Sequence, residues 1–307
     1  MTRPLITLLA GPTASGKSAL ALAWARRTGG LIVNADSQQL YADLRVLTAR
    51  PSAADEAEAE HALYGVADGA EAWSVGRWTR AALPLLQRCA AEGRPAIVVG
   101  GTGLYFNALT AGLAEIPDPG PTARAEAAAL FDDKGEQAVR SALLAGDPAA
   151  ERRIAPRDRQ RLVRALAVLN GTGRALSAWR ADTRPLLAPG SWRGWVLQPA
   201  RDRLYAACDR RVDWMLENGA LREVEALLAR NLSADLPVMK AIGVPELAEV
   251  VRGSSDPEVA ADQMRQATRN FAKRQMTWFR NQMMSDRWVK EESIALATLL
   301  NDGGSQL

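Results

Sequence analysis

A chain of 307 residues, 48% apolar and 24% charged, has an ordinary globular composition and length enough for two domains, which excludes disordered and fibrous classes. Its net charge of +3 is too small to assign a partner by itself. No run approaches the roughly 18 apolar residues of a membrane-spanning helix.

Residues 5–9 form a short apolar run bounded by Pro4 and Gly11-Pro12, which predicts a buried parallel strand. A glycine-rich loop follows, then an Ala- and Leu-rich helix over 18–27. Residues 31–33 predict a second strand ending at Asn34-Ala35-Asp36, residues 75–91 a helix, and residues 96–99 a third strand ending at Gly100-Gly101. Strands alternating with helices predict an α/β domain with a parallel sheet. From Pro117 onward Pro119, Gly120 and Pro121 punctuate the chain, and helical patterns dominate to Trp179. A strand signal returns at 195–197. The reading is a helical insertion over 115–190 within an α/β core of 1–114 and 191–295, with 296–307 a frayed tail. In the last long helix Met264, Ala267, Phe271 and Trp278 share one face, and Arg265, Arg269, Lys273 and Arg280 another.

Residues 11–18, Gly11-Pro12-Thr13-Ala14-Ser15-Gly16-Lys17-Ser18, match G-x-x-x-x-G-K-[ST] in full, between the first strand and its helix. The glycines let backbone N–H groups face an anion at the positive end of the helix, Lys17 adds a point charge, and the Ser18 hydroxyl is the expected Mg²⁺ ligand. The motif specifies a diphosphate or triphosphate without saying which molecule carries it. The fold class is therefore P-loop nucleoside-triphosphate-hydrolase-like, a parallel sheet with helices on both faces, plus the helical insertion.

Asp36 ends the second strand on the same sheet edge, where it can hold Mg²⁺ through water or take a proton from a nucleophile; a helix N-cap is the plainer alternative. Ser37, Gln38 and Gln39 add neutral groups able to read a base edge. The third strand ends in Gly100-Gly101-Thr102-Gly103-Leu104-Tyr105, without the acid that many NTP hydrolases place there. That weighs against a motor ATPase.

Charge is unevenly spread. Residues 151–184 and 263–290 each sum to +6, whereas 1–150, 185–262 and 291–307 each sum to −3. Two basic blocks on an otherwise acidic chain suggest a polyanion surface; solvated helix faces are the alternative. In the first block Arg157, Arg161 and Arg164 share a face while Leu162 and Leu166 pack inward. In the second, Lys273, Arg274 and Arg280 interleave with Trp278 and Phe279, an arrangement that could hold single-stranded RNA, although Phe271 and Trp278 fit a core better. The single histidine, His61, follows Asp55, Glu56, Glu58 and Glu60 and reads as a surface residue; multi-histidine metal sites are excluded. Cys89 and Cys208 suit neither disulfides nor metal binding, and the N-terminal apolar stretch is too short for a secretory signal. The expected compartment is the cytoplasm.

Together these motifs resemble the tRNA dimethylallyltransferase (tRNA isopentenyltransferase) family. The matching segments are 11–18, Asn34-Ala35-Asp36-Ser37, residues 100–105, Gln160-Arg161-Leu162-Val163-Arg164-Ala165-Leu166, and Ala272-Lys273-Arg274-Gln275-Met276-Thr277-Trp278-Phe279-Arg280, in order across nearly the whole chain. The resemblance implies dimethylallyl diphosphate as donor, the adenosine amine 3′ to the tRNA anticodon as acceptor, and Mg²⁺ as cofactor; a monomer is the separate expectation. It implies Asp36 as general base, with Thr13, Lys17, Ser18 and Arg211 neutralising the departing diphosphate. Thr102 and Arg124 would be tRNA contacts, with Asp36 to Gln39, Gln160 to Arg164, and Lys240-Ala241-Ile242-Gly243-Val244-Pro245. The sequence departs from the family pattern at Gly243-Val244-Pro245, where Gly-Tyr is usual, and at Leu47-Thr48-Ala49-Arg50-Pro51, where Gly-Thr-Ala-Lys-Pro is usual. The rivals are a small-molecule P-loop kinase, with Asp36 activating a hydroxyl toward ATP, and a non-catalytic RNA-binding protein switched by nucleotide.

Overall fold

The computed structural model describes residues 6–301, which divide into two units. One is built from residues 6–110 and 187–301, the other is Ala111–Leu186. The divisions fall before the expected 115 and 190. Leu187 is buried in the α/β core and its N–H bonds the Leu109 carbonyl at 3.0 Å, so the chain has already rejoined that core there.

In the α/β unit six strands, β1 (Ile6–Ala10), β2 (Leu31–Asn34), β3 (His61–Ala62), β4 (Ala96–Gly100), β5 (Trp192–Leu197) and β6 (Trp288–Glu291), pair in the order β3-β2-β4-β1-β5-β6. Every pairing is parallel. Side chains alternate between two apolar layers, as the period of a strand requires. Leu8, Leu31, Val33, Val98 and Val196 enter one layer, while Leu9, Ile32, Ile97, Val99 and Trp195 enter the other. Helix α1 (Lys17–Thr28) covers the second layer through Ala21, Trp24 and Ala25. The first layer is covered by α3 (Val75–Ala91) and α4 (Gly103–Thr110) and by the C-terminal helices; α2 (Ala53–Glu58) is a short surface helix held by a Ser52–Asp55 capping box.

The second unit is all helical: α5 (Gly120–Gly146), interrupted at Gly135, α6 (Pro148–Arg153), α7 (Arg159–Thr172) and α8 (Leu176–Ala181). Its core comprises Val139, Leu143, Leu162, Leu166 and Val168 among others. Asp147, 1% exposed, ties it together by accepting from the Ala150 N–H, the Ser177 N–H and the Ser177 hydroxyl.

The α/β unit continues with α9 (Arg201–Glu217), α10 (Ala220–Ala229), α11 (Val244–Val251) and α12 (Pro257–Gln282). The tail expected at 296–307 is instead helical over α13 (Leu296–Asn301), because Leu299 inserts beside α1; residues 302–307 lie outside the described residues. Among the described residues no helix is long and apolar enough to cross a membrane.

Candidate active site

The phosphate loop begins where β1 ends. Gly11 donates to the Gly100 carbonyl at 3.3 Å, and a Cβ on Gly11 would press on the Ser15 hydroxyl and Leu197. Ala14 and Gly16 take left-handed φ values of 60° and 84°, which curl the loop back toward α1. Helix α1 opens with no side-chain cap and no acid in its first turn, so its free N–H groups and dipole meet an anion unopposed. Ser15 Oγ is buried without a partner, packed beside Gly11. A cavity of about 330 Å³ opens over Ser15, Gly16, Lys17 and Ser18, with Arg210 and Arg211 of α9 on its far wall. Arg210 is a residue the sequence reading missed; its only signal was the Arg-Arg doublet on an amphipathic helix.

Lys17 is buried, and its Nζ donates to the Pro12 carbonyl at 2.9 Å. Burial lowers its pKa from 10.5 to about 8; Asp36 opposes the shift and Arg211 adds to it. Burial likewise lowers the pKa of Arg211, again opposed by Asp36. Arg211 Nη2 donates to the Thr48 carbonyl at 2.8 Å, which fixes the guanidinium between the phosphate loop and the segment after β2. Thr13, Asp36, Thr48 and Arg211 then line a narrow cleft, walled on its apolar side by Met215, Ile242, Met264 and Phe271. The structure thus brings Thr13, Lys17, Asp36 and Arg211, 198 positions apart at the extremes, to one place.

The backbone around Asp36 is clamped from beneath. Buried Asn34 accepts the Asp36 N–H at 2.8 Å and donates to the Asp36 carbonyl at 3.0 Å, while the Trp78 indole holds the Asn34 carbonyl. Asp36 Oδ1 accepts from the Gln38 N–H at 3.0 Å. The loop after β4 is stitched alongside: Thr102 N–H bonds the Ala35 carbonyl, and the Thr102 hydroxyl accepts from Ser37 N–H and donates to Ser37 Oγ. Gly100 is obligatory, since a Cβ there would collide with the Ala35 backbone.

Other expected contacts divide by exposure. Gln39 is 8% exposed and donates to the Thr48 and Ala49 carbonyls, so it braces the loop and is not free to read a base. Leu162, Ala241 and Val244 are core residues, and Gly243 is buried at a φ of 94°. Their side chains are thereby withdrawn from RNA, whereas Lys240 and Pro245 are exposed and Ile242 lines the cleft. In the helical unit a cavity of about 570 Å³ gathers Arg124, Arg159, Gln160, Arg161, Val163 and Arg164. Arg161 is 71% exposed there and pairs with Asp158 at 3.3 Å, while Arg124 pairs with Asp118 and Arg159 with Asp132, so this block's charge is also partly answered at the surface. In the second basic block Arg265 pairs with Asp213 and Asp262, and Arg269 with Asp209, which spends part of the charge counted from sequence. The buried stripe of α12 runs through Met264, Thr268, Ala272, Gln275 and Phe279, while Trp278 is half-buried against Gly103.

No group of three or more His, Cys, Asp or Glu side chains that could hold a metal occurs among the described residues. A divalent cation here would take most of its oxygens from a bound phosphate group and from water. The exposed Ser18 hydroxyl, at the start of α1, fits the single protein ligand that a hard cation needs beside phosphates.

A parallel sheet with a phosphate loop after its first strand and one carboxylate at the next strand's end defines a P-loop protein acting on a diphosphate or triphosphate. Comparison with known proteins narrows this. Residues 39–282 match the family model described as IPP transferase, and residues 4–64 one described as Isopentenyl transferase. A tRNA dimethylallyltransferase of Caulobacter sp. (strain K31) is 54% identical over 97% of this chain and 96% of its own length. Its counterpart in Phenylobacterium zucineum is 55% identical over 91% of each chain. Among solved structures, the tRNA isopentenylpyrophosphate transferase of Bacillus halodurans is 31% identical, with a TM-score of 0.65 over 94% of this chain and 90% of that one. A eukaryotic dimethylallyltransferase acting on tRNA shares the fold, with a TM-score of 0.79 at 23% identity over 93% of this chain and 73% of that one. The chain belongs to the IPP transferase family, that of the tRNA dimethylallyltransferases.

Proposed function

We propose that this chain transfers the dimethylallyl group of dimethylallyl diphosphate to the N6 amine of the adenosine 3′-adjacent to the anticodon of a tRNA, releasing diphosphate. The observation that carries the reading is the convergence of Lys17, Arg211 and Asp36 beside an uncapped phosphate loop, with no acid at the end of β4. The bond from N6 to the allylic carbon forms as the carbon–oxygen bond breaks. Asp36 takes the N6 proton, and the electron pair leaves on the diphosphate.

An adenine amine is a weak nucleophile because its lone pair is delocalised into the ring. A positioned base contributes about 10²–10⁴-fold. Donors fixed on the developing anion contribute roughly 3 kcal/mol each. Lys17, Arg211 and the α1 N–H groups are those donors here. Mg²⁺ held by Ser18 would further neutralise the diphosphate. The apolar wall of the cleft, with Met215, Met264 and Phe271, suits a five-carbon allyl group. The target base must leave its stack, which costs a few kcal/mol and least in a loop. The Arg124, Arg161 and Arg164 cavity of the helical unit supplies phosphate contacts for that loop, with Gln160 and Val163 beside them. Both cysteines are free and buried, in keeping with cytoplasmic action, and we take the working enzyme to be a monomer.

The experiment is incubation of the protein with Mg²⁺, labelled dimethylallyl diphosphate and unmodified tRNA, followed by digestion to nucleosides. Label on the adenosine beside the anticodon is expected. No label, with ATP consumed and a small metabolite phosphorylated instead, would return the site to the kinase reading.

A further inference from the structure

Gln275 lies on α12 within the run that sequence credits with basic contacts, yet it is 6% exposed and its amide faces inward. Oε1 accepts the Thr13 N–H at 2.8 Å, and Nε2 donates to the Gly101 carbonyl at 2.9 Å. These partners lie 262 and 174 positions away. Thr13 belongs to the phosphate loop, and Gly101 precedes Thr102, whose hydroxyl is locked to Ser37. Only a carboxamide offers one acceptor and a fixed donor on a single planar group of this length. Position 101 shows how tight the arrangement is: a Cβ there would overlap Nε2 of Gln275 and come within 3.3 Å of Asp36 Oδ2. The amide and the carboxylate therefore converge on the gap that Gly101 leaves open.

We propose that Gln275 is a positioning residue that sets the spacing between the loop holding the leaving diphosphate and the loop flanking the nucleophile. This rests on the transferase reading above. Gln275 acts through the backbone of Thr13 and Gly101. The transfer needs the amine and the allylic carbon about 3–3.5 Å apart, and a misplacement near 1 Å costs roughly 10²-fold. Without the amide, the α1 N–H groups and Lys17 still hold diphosphate, and the arginines of the helical unit still hold RNA. What suffers is the step that needs both loops in register. Water then competes for the allylic carbon: its oxygen forms the new bond, the bond to diphosphate breaks, and a water proton is released, giving dimethylallyl alcohol and diphosphate.

Two full-length variants separate this role from general stability. Gln275→Met keeps the length and loses both bonds. Gln275→Glu keeps an acceptor for Thr13 and, when ionised, replaces the donor by an oxygen that repels the Gly101 carbonyl, so it is assayed above the pH at which its carboxyl deprotonates. The measurements are kcat, KM for each substrate, modified RNA formed per diphosphate released, and the folded fraction by urea titration. Expected are a fall in kcat of about 10²-fold for Gln275→Met and about tenfold for Gln275→Glu, with each KM within about threefold. Modified RNA per diphosphate should fall at least about threefold below wild type in both. If Gln275→Met fails to fold, Gln275→Glu is judged by the same criteria. The proposal is overturned by a folded variant with wild-type kcat. Activity lost only in step with the folded fraction, at an unchanged RNA-to-diphosphate ratio, overturns it too. A wild-type protein that transfers no label defeats the transferase reading itself, before any variant is compared.

Discussion

Replacing Asp36 by Asn tests the proposed base with the least disturbance to its surroundings. Asn34 and Trp78 hold the Asp36 backbone independently of the carboxylate, and an amide oxygen can keep the 3.0 Å bond from Gln38 N–H. What is lost is proton acceptance, so single-turnover transfer should slow by about 10²–10⁴-fold. At about 1.36 kcal/mol per tenfold, that is about 3–5 kcal/mol of barrier. A second effect comes with it. Asp36 is the main group favouring the charged form of Lys17, whose pKa burial has lowered to about 8. Removing it shifts Lys17 lower still and weakens donor binding, so the rate must be taken at saturating donor near pH 7. The assay is single-turnover label transfer into an unmodified anticodon stem-loop, with RNA affinity by filter binding. Affinity should stay within a few-fold of wild type. A rate within about fivefold of wild type at saturating donor would refute the general-base role and leave Asp36 only its effect on Lys17.

Lys17 makes the donor site pH-sensitive. Because diphosphate binds the charged amine and the free protein loses that charge near pH 8, donor affinity should hold steady up to about pH 8, then weaken toward tenfold per pH unit; Lys17→Arg should flatten the profile in equilibrium dialysis. For the free protein the sign reverses: the unfolded chain binds more protons between about 8 and 10.5, so this group makes stability rise with pH across that window, measurable by urea titration. Changing Arg161 and Arg164 together to Ala should reduce the salt dependence of RNA binding by about 1.4–1.8 units of slope, and an unaltered slope would return that helix face to solvent. Gly100→Ala should destabilise the α/β unit by about 1–3 kcal/mol or more, read from the urea midpoint, since the neighbouring atoms are Ala35 backbone and cannot swing aside.

The strands that hold the site were legible because each is a buried parallel run with a glycine or turn at its end, and the phosphate loop because its chemistry is local. β3 and β6 were not. His61–Ala62 offers only two residues, and Trp288–Glu291 ends in Lys290 and Glu291, so neither has an apolar run to count. On α12, periodicity found apolar residues but not Thr268 and Gln275, which are buried for their hydrogen-bonding value. Charge counting could not see that Arg265 and Arg269 are answered by Asp213 and Asp209 on α9, more than fifty residues earlier. Motif matching assigned contiguous runs to RNA, whereas a helix presents only part of any run. Arg161 and Arg164 face outward while Leu162 between them is core.

The missing acid at the end of β4 bears directly on the kind of phosphate chemistry this sheet edge supports. A second carboxylate there would hold a metal against a triphosphate, but it would also place another negative charge where a leaving diphosphate develops its own. Gly100 and Gly101 do something different. The first lets β4 press against Ala35, and the second leaves room for the Gln275 amide beside Asp36. Around the phosphate loop this leaves Asp36 as the carboxylate acting on two cations, buried Lys17 and half-buried Arg211. That balance suits a reaction in which a single proton must be removed while an anion is released beside it. It is a poor arrangement for activating water against a γ-phosphate, where a metal-holding acid is usually needed. The glycines after β4 therefore favour allylic transfer over NTP hydrolysis on electrostatic grounds, independently of any family resemblance.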